Sequence, residues 1–171
     1  MRYTYKALKD TVDKMRYFPI ALNIKKKKVL IVGGGRVAER KVVSFLDAAS
    51  DIKVIAPKVT RRLHLLFLNK RIKLLRRKVK SSDIHKAELI IAATSDEDTN
   101  RNIYRLARKR NIPVNVVDKT CLCDFITPAI AAVDKALIAV YTDGFDPRLS
   151  RDLKKYLKEK WDDFLNYRLR L

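Results

Sequence analysis

Residues 29–41, VLIVGGGRVAERK, bring together an apolar run, three consecutive glycines and a helical period. Val29-Leu30-Ile31-Val32 has strand length and no polar side, which suits a strand covered on both faces. Gly33, Gly34 and Gly35 follow at once, and they are three of only 4 glycines in the chain. From Arg36 onward, Val37, Lys41, Phe45 and Ala48 fall at helical spacing, so the stretch predicts strand, glycine turn and a helix over 36–48. Gly33-Gly34-Gly35-Arg36-Val37-Ala38 fits G-x-G-x-x-A. The first glycine permits the tight turn, the second lets backbone approach a pyrophosphate, and the small third residue lets helix and strand pack closely. The helix then turns its N–H groups and positive dipole end toward the phosphates. A bare structural turn is the competing reading, but the motif has the strand before it and the helix after it that dinucleotide binding requires.

Outward from this stretch the alternation continues. Residues 52–56 read as a second strand closed by Pro57, and 59–68 as a helix with Leu63, Leu66 and Phe67 on one side. Residues 72–75 and 89–93 read as further strands. A helix is predicted over 96–110, with Ser95 or Thr94 as N-cap, Asp96, Glu97 and Asp98 in its first turn and Arg108, Lys109 and Arg110 in its last. Residues 113–117 make a fifth strand. Strands alternating with helices imply an α/β fold, a Rossmann-like parallel sheet with helices on both faces. After Asp118 two strands, 125–132 and 136–141, follow without an intervening helix, then a turn at Asp143-Gly144 and a helix over 147–167. The expected organisation is a basic N-terminal extension (1–16), a dinucleotide-binding domain (17–118) and a small α+β region for dimerisation and substrate (119–171), ending in a C-terminal helix.

One part of the dinucleotide fingerprint is absent. The second strand ends Ile55-Ala56-Pro57, where an NAD enzyme usually carries Asp or Glu for the ribose hydroxyls. Asp51 reads as a turn residue before that strand. Lys58, Arg61 and Arg62 would accommodate a 2′-phosphate, so these residues alone leave NAD and NADP both open.

The chain has 171 residues, enough for one main domain, and its apolar residues come in short runs, so no membrane span is expected. The N-terminus is basic but includes Asp10 and Asp13 and has no continuous apolar segment, which predicts a cytoplasmic protein without a secretory signal. Cys121 and Cys123 are too close for an ordinary disulfide or a four-ligand zinc site, and His64 and His85 have no partners at metal spacing. Reduced thiols and no metal site are expected. With 39 Lys and Arg against 19 Asp and Glu, the net charge of +20 favours polyanions, unless it reflects the host's general composition. No helix-turn-helix, zinc or aromatic RNA-binding signature accompanies that charge, so nucleic acid is not an expected partner.

Over residues 17–157 the sequence resembles the precorrin-2 dehydrogenase family, the NAD-binding module of siroheme synthases. The matching elements are Phe18-Pro19-Ile20, the stretch 29–41, Ile55-Ala56-Pro57, and Ala92-Ala93-Thr94 with Asn100. Asn115-Val116-Val117-Asp118 follows, then Cys123-Asp124-Phe125 with Pro128, and Thr142, Gly144, Pro147 and Leu149. The resemblance implies NAD-dependent oxidation of precorrin-2 to sirohydrochlorin in siroheme biosynthesis, by a homodimer formed through the strands after Asp118. It also accounts for Ala-Pro at the end of the second strand, and the polycarboxylated substrate gives the net charge a purpose. Asp118 matches the catalytic aspartate. From its position alone, it ends a predicted strand on the ligand side of an α/β sheet, or is a surface turn residue. The expected cofactor contacts are Gly33, Gly34, Gly35, Arg36, Val37, Ala38, Ala56, Pro57, Thr94, Asn115 and Val117. Some family members also insert iron into sirohydrochlorin with the same aspartate. Asp146 and Ser150 stand where the family commonly has Ser and Ala, and 131–136 lacks its Arg-Gly turn, so residual ferrochelatase activity stays open. The rival functions are a non-catalytic nucleotide-sensing or heme-pathway binding protein on the same fold and, on charge alone, a basic nucleic-acid-binding module.

Overall fold

The computed structural model describes residues 16–49, 51–117 and 119–170. The described residues form two compact units: Ala21–Phe125, and 126–170 together with 16–20.

The first unit alternates β1 (Lys28–Val32), α1 (Arg36–Phe45), β2 (Asp51–Ile55), α2 (Arg61–Leu68), β3 (Lys73–Leu75), α3 (Ser81–Ile84), β4 (Leu89–Ala92), α4 (Glu97–Arg108) and β5 (Val114–Val116). The strands form one parallel sheet in the order β3-β2-β1-β4-β5. This is the expected Rossmann-like sheet, and its order reverses between β1 and β4. Ligands of open α/β sheets bind outside the strands' carboxyl ends at such a reversal. Val29 and Ile31 of β1 join Val42 and Phe45 of α1, Val54 of β2 and Leu63 of α2 in one buried cluster. Helix α4 buries Asn100, Ile103 and Ala107 and packs on β4 and β5.

Local chemistry moves several boundaries. Helix α1 ends at Phe45 rather than 48, because the chain tightens there: the Ala48 N–H reaches back to the Phe45 carbonyl at 3.1 Å. Asp51 belongs to β2 and pairs with Lys73 at 2.8 Å, so it is not a preceding turn residue. The N-cap of α4 is Asp96, not Thr94 or Ser95. Its carboxylate accepts both the Asp98 N–H (3.0 Å) and the Thr99 N–H (3.1 Å), and its charge suits the positive end of the helix. Helix α3 has no counterpart in the sequence reading. A two-pronged contact of Arg77 with Asp83 (2.7 and 2.8 Å) and the Lys80 N–H on the same carboxylate (2.8 Å) hold its single turn.

In the second unit β6 (Ala129–Val133) and β7 (Ala136–Val140) form an antiparallel pair, followed by α5 (Pro147–Glu159) and α6 (Trp161–Arg168). The helix expected over 147–167 is thus two helices meeting at Lys160, and the strand expected from 125 begins at Ala129. Asp146 caps α5 by accepting from the N–H groups of Arg148 (3.0 Å) and Leu149 (2.8 Å), with Pro147 in the first turn. The buried Asp143 carboxylate accepts from the N–H groups of Arg16 (2.9 Å) and Tyr17 (3.1 Å), which fastens the described start of the chain to this unit. Among the described residues, no helix is long and apolar enough to cross a membrane.

Candidate functional site

The three glycines answer to different constraints. Gly33 has φ +127°, a conformation side chains rarely adopt, and a Cβ there would run into the Ala93 carbonyl. Its N–H bonds the Ile55 carbonyl at 3.0 Å, so the residue lies against the ends of both strands flanking β1. At Gly34 a Cβ would run into the Lys58 carbonyl and lie 2.9 Å from both the Ala56 Cβ and the Val59 Cγ1. The Gly34 carbonyl accepts the Thr60 N–H at 2.9 Å. Gly35 differs: its φ is an ordinary −81°, and among the described residues no atom beyond its chain neighbours lies within 4 Å of the place a Cβ would take. It is exposed and forms the N-cap of α1, where no side chain bonds the free N–H groups. In the first turn of α1, Arg36 is exposed, Val37 is half-buried and Ala38 is fully buried, as close helix–strand packing demands.

The other strands converge on the same edge of the sheet. Ala56, buried, and Pro57, exposed, follow β2, with the Ala56 N–H on the Leu75 carbonyl at 3.1 Å. Thr94 follows β4 and is fully engaged within the chain. Its hydroxyl lies 2.8 Å from the Asn100 Oδ1 and 2.9 Å from the Asp96 carbonyl, while the Asn100 Nδ2 donates to the Thr94 carbonyl at 3.0 Å. This clamp ties the β4–α4 turn to α4 through both backbone groups of Thr94. Val117 follows β5, its N–H on the Ala92 carbonyl at 2.9 Å. It lines a cavity of about 170 Å³ with Thr94, Asn100, Arg101 and Lys119. The Glu97 carboxyl at this cavity lies below its ordinary pKa, chiefly because Lys119 donates to it at 2.9 Å and secondly by the charge of that ammonium. Asn115 sits within β5 and is buried, its Nδ2 donating to the Phe125 carbonyl at 2.9 Å. Among the described residues its Oδ1 has no hydrogen-bond partner. Asp118, the expected catalytic residue, lies outside the described residues.

Sequence reasoning gave no role to the segment that covers β5. As an edge strand, β5 carries open N–H and C=O groups, and Cys123-Asp124-Phe125 closes them. The Asp124 N–H donates to the Val114 carbonyl (2.8 Å), the Val114 N–H to the Asp124 Oδ2 (3.1 Å), and the Val116 N–H to the Cys123 Sγ (3.2 Å). Arg108 holds the other Asp124 oxygen at 2.7 Å. The signal was present as the Cys-Asp-Phe triplet, which periodicity alone does not interpret.

Residues 20–129 match the family model described as "Putative NAD(P)-binding". The chain is 39% identical over 144 residues to a siroheme synthase of Vesicomyosocius okutanii and 40% identical over 144 residues to one of Neisseria meningitidis serogroup C. Each alignment covers 84% of this chain, which spans 31% and 30% of those two relatives. A solved structure named "SirC, precorrin-2 dehydrogenase" superposes with a TM-score of 0.75 at 27% identity, covering 84% of this chain and 71% of that one. The sheet order, the glycine turn at its reversal and the extent of these matches agree: the chain belongs to the NAD(P)-binding family, and its likeness to siroheme synthases and to a precorrin-2 dehydrogenase runs through that module.

Proposed function

We propose that the protein is a precorrin-2 dehydrogenase that oxidises precorrin-2 to sirohydrochlorin with NAD in siroheme biosynthesis. The observation that carries the cofactor reading is the contrast among the glycines. Gly33 and Gly34 are glycine because protein atoms crowd them, whereas Gly35 faces open space at an uncapped helix N-terminus. A constraint absent inside the chain points to something that approaches from outside, and backbone N–H groups at a helix start suit a pyrophosphate. Ala56 and Pro57 flank the same turn and present no carboxylate to a ribose. Bound NAD supplies the hydride acceptor.

In this reading Gly33–Gly35 and the first turn of α1 hold the pyrophosphate, and the Thr94–Asn100 clamp and Val117 shape the opening at the ends of β4 and β5. Asp118 takes up the proton that leaves the macrocycle as the hydride departs. Arg101 and Lys119 share the single Glu97 carboxylate, which leaves net positive charge at the mouth for the substrate carboxylates. The protein acts in the cytoplasm as a homodimer. Exposed Ile130 and Leu137 on the β6–β7 pair, with Leu149, Leu153 and Tyr156 along one side of α5, offer apolar surface for a second copy.

The test is a coupled assay with precorrin-2, run with NAD and NADP in parallel. NADH and sirohydrochlorin should appear in equal amounts, and Asp118→Ala should stop turnover while leaving NAD binding nearly unchanged. NAD binding with no turnover would favour the nucleotide-sensing alternative, and absence of NAD binding would overturn both readings. Adding ferrous ion after the oxidation asks whether any ferrochelatase activity accompanies it.

A further inference from the structure

The net charge of +20 is unevenly distributed along the chain. Between Asp51 and Asp83 the sequence holds 11 Lys and Arg and no Asp or Glu, so these 31 residues supply more than half of it. They build one edge of the parallel sheet, from β2 through α2 to β3, the edge strand. Helix α2 turns a mixed face outward. Leu63 is fully buried, and half-buried Leu66 packs on the same core. Arg61, Leu65 and Leu68 recur at i, i+4 and i+7 and so share the other side of the helix. Leu65 is 47% exposed and Leu68 58%, where a surface helix ordinarily carries polar side chains. Phe67 beside them is 40% exposed.

Lys70 and Arg71 follow the helix directly and are fastened to its end. The Lys70 N–H donates to the Phe67 carbonyl and the Arg71 N–H to the Leu66 carbonyl, both at 2.9 Å. Arg62 and Arg71 reach acidic neighbours only at 3.9 Å (Glu39) and 3.8 Å (Asp47). Among the described residues Arg61 and Lys70 have no ion pair. Outward leucines set among cations, with no carboxylate in the segment, fit one kind of partner. A second copy on this face would set cations against cations. Nucleic acid would use the cations but gain little from the leucines, because its affinity comes from phosphate contacts. An anionic bilayer surface uses both: its headgroups attract the basic side chains, and leucine side chains enter the boundary with the acyl chains. We propose that the outer face of α2, with Lys70 and Arg71 at its end, docks the protein peripherally on an anionic lipid surface. This docking is independent of the reaction assigned to the glycine-turn site.

The test is co-sedimentation of the full chain with vesicles of equimolar phosphatidylglycerol and phosphatidylcholine, and with vesicles of phosphatidylcholine alone. The wild type should bind the anionic vesicles, release them as salt is raised, and ignore the neutral ones. Lys70→Gln and Arg71→Gln should each weaken binding about fivefold, the worth of one basic side chain near such a surface. Leu65→Ser combined with Leu68→Ser should weaken it about tenfold or more, for two half-exposed leucines that no longer enter the boundary. These side chains are exposed, so thermal melts of the variants should match the wild type; if the double variant melts early, Leu65→Ser alone gives the leucine readout. Duplex DNA and sedimentation velocity supply the rival arms. The leucine variants should bind DNA as the wild type does and keep its oligomeric state. Failure to bind anionic vesicles would overturn the proposal, and so would vesicle binding that the leucine substitutions leave intact, the mark of general charge attraction. Tighter binding of the wild type to duplex DNA than to the vesicles would assign the face to nucleic acid. Loss of an oligomer in the leucine variants would assign it to a second copy, and either result overturns lipid docking.

Discussion

At Gly34 and Gly35, two adjacent residues of the same type should give opposite results on substitution. A Cβ at Gly34 would press on backbone at Lys58 and on the side chains of Ala56 and Val59, none of which can swing away freely. Gly34→Ala should therefore cost about 1–3 kcal/mol of stability, the range for overpacking a filled site. Gly35 has an ordinary φ and open space, so Gly35→Ala should leave thermal stability unchanged or raise it slightly by restricting the unfolded chain. Its added methyl would instead stand where a pyrophosphate approaches, and NAD affinity should fall about tenfold or more, some 1.4 kcal/mol. Thermal melts and NAD titrations on both variants separate the two effects. If Gly35→Ala binds NAD as tightly as the wild type, the pyrophosphate does not lie on this turn. The glycine motif was legible in the sequence as a unit, but the division of labour within it was not, because it depends on Lys58 and Ala93, which approach only in the folded chain.

Elements were legible where burial is two-sided and hidden where one or two polar contacts decide. Strands β1 and β4 announce themselves as apolar runs because sheet neighbours and helices cover both faces, while β2, with Asp51 and Lys53 half-buried, shows through Ile52, Val54 and Ile55. Helix α3 buries only Ile84, which gives no periodicity to detect. It depends on the Asp83 carboxylate, whose hydrogen bond from Arg77, aided by the Lys80 N–H and the Arg77 charge, holds it below the usual carboxylate range. A carboxyl with a lowered folded pKa contributes stability that is complete above its unfolded value, about 3.9, and is lost as pH falls through the folded value. Denaturant unfolding from neutral to acidic pH should show that loss, and Asp83→Asn should flatten it. An unchanged pH dependence in the variant would assign the acid sensitivity to other groups. The start of α4 has similar logic. Thr94 and Ser95 are as good N-caps on composition as Asp96, and what separates them is that Asn100 captures Thr94. Asp96→Ala should lower Tm by roughly 2–4 °C, the usual effect of losing a cap in a domain of this size, while Ser95→Ala should do nothing.

Among the described residues many acidic side chains are paired locally. Glu88 pairs with Lys27, Asp51 with Lys73, Asp83 with Arg77, Glu97 with Lys119, Asp124 with Arg108 and Asp163 with Lys160. Exposed pairs of this kind add little stability, and with 39 Lys and Arg against 19 Asp and Glu a net charge of +20 stays on the chain whatever the pairing. Such a field draws in anions from beyond contact distance, and it is screened within about 10 Å at 0.1 M salt. A polycarboxylated tetrapyrrole should feel it far more than NAD, which carries little net charge. Raising ionic strength should therefore lower kcat/KM for precorrin-2 steeply while kcat at saturation and the Kd for NAD change little. The slopes of log kcat/KM and log Kd against log salt, measured side by side, are the readout. A precorrin-2 slope no steeper than that for NAD would mean that the charge does not serve substrate capture, and that it belongs to the general composition of the chain.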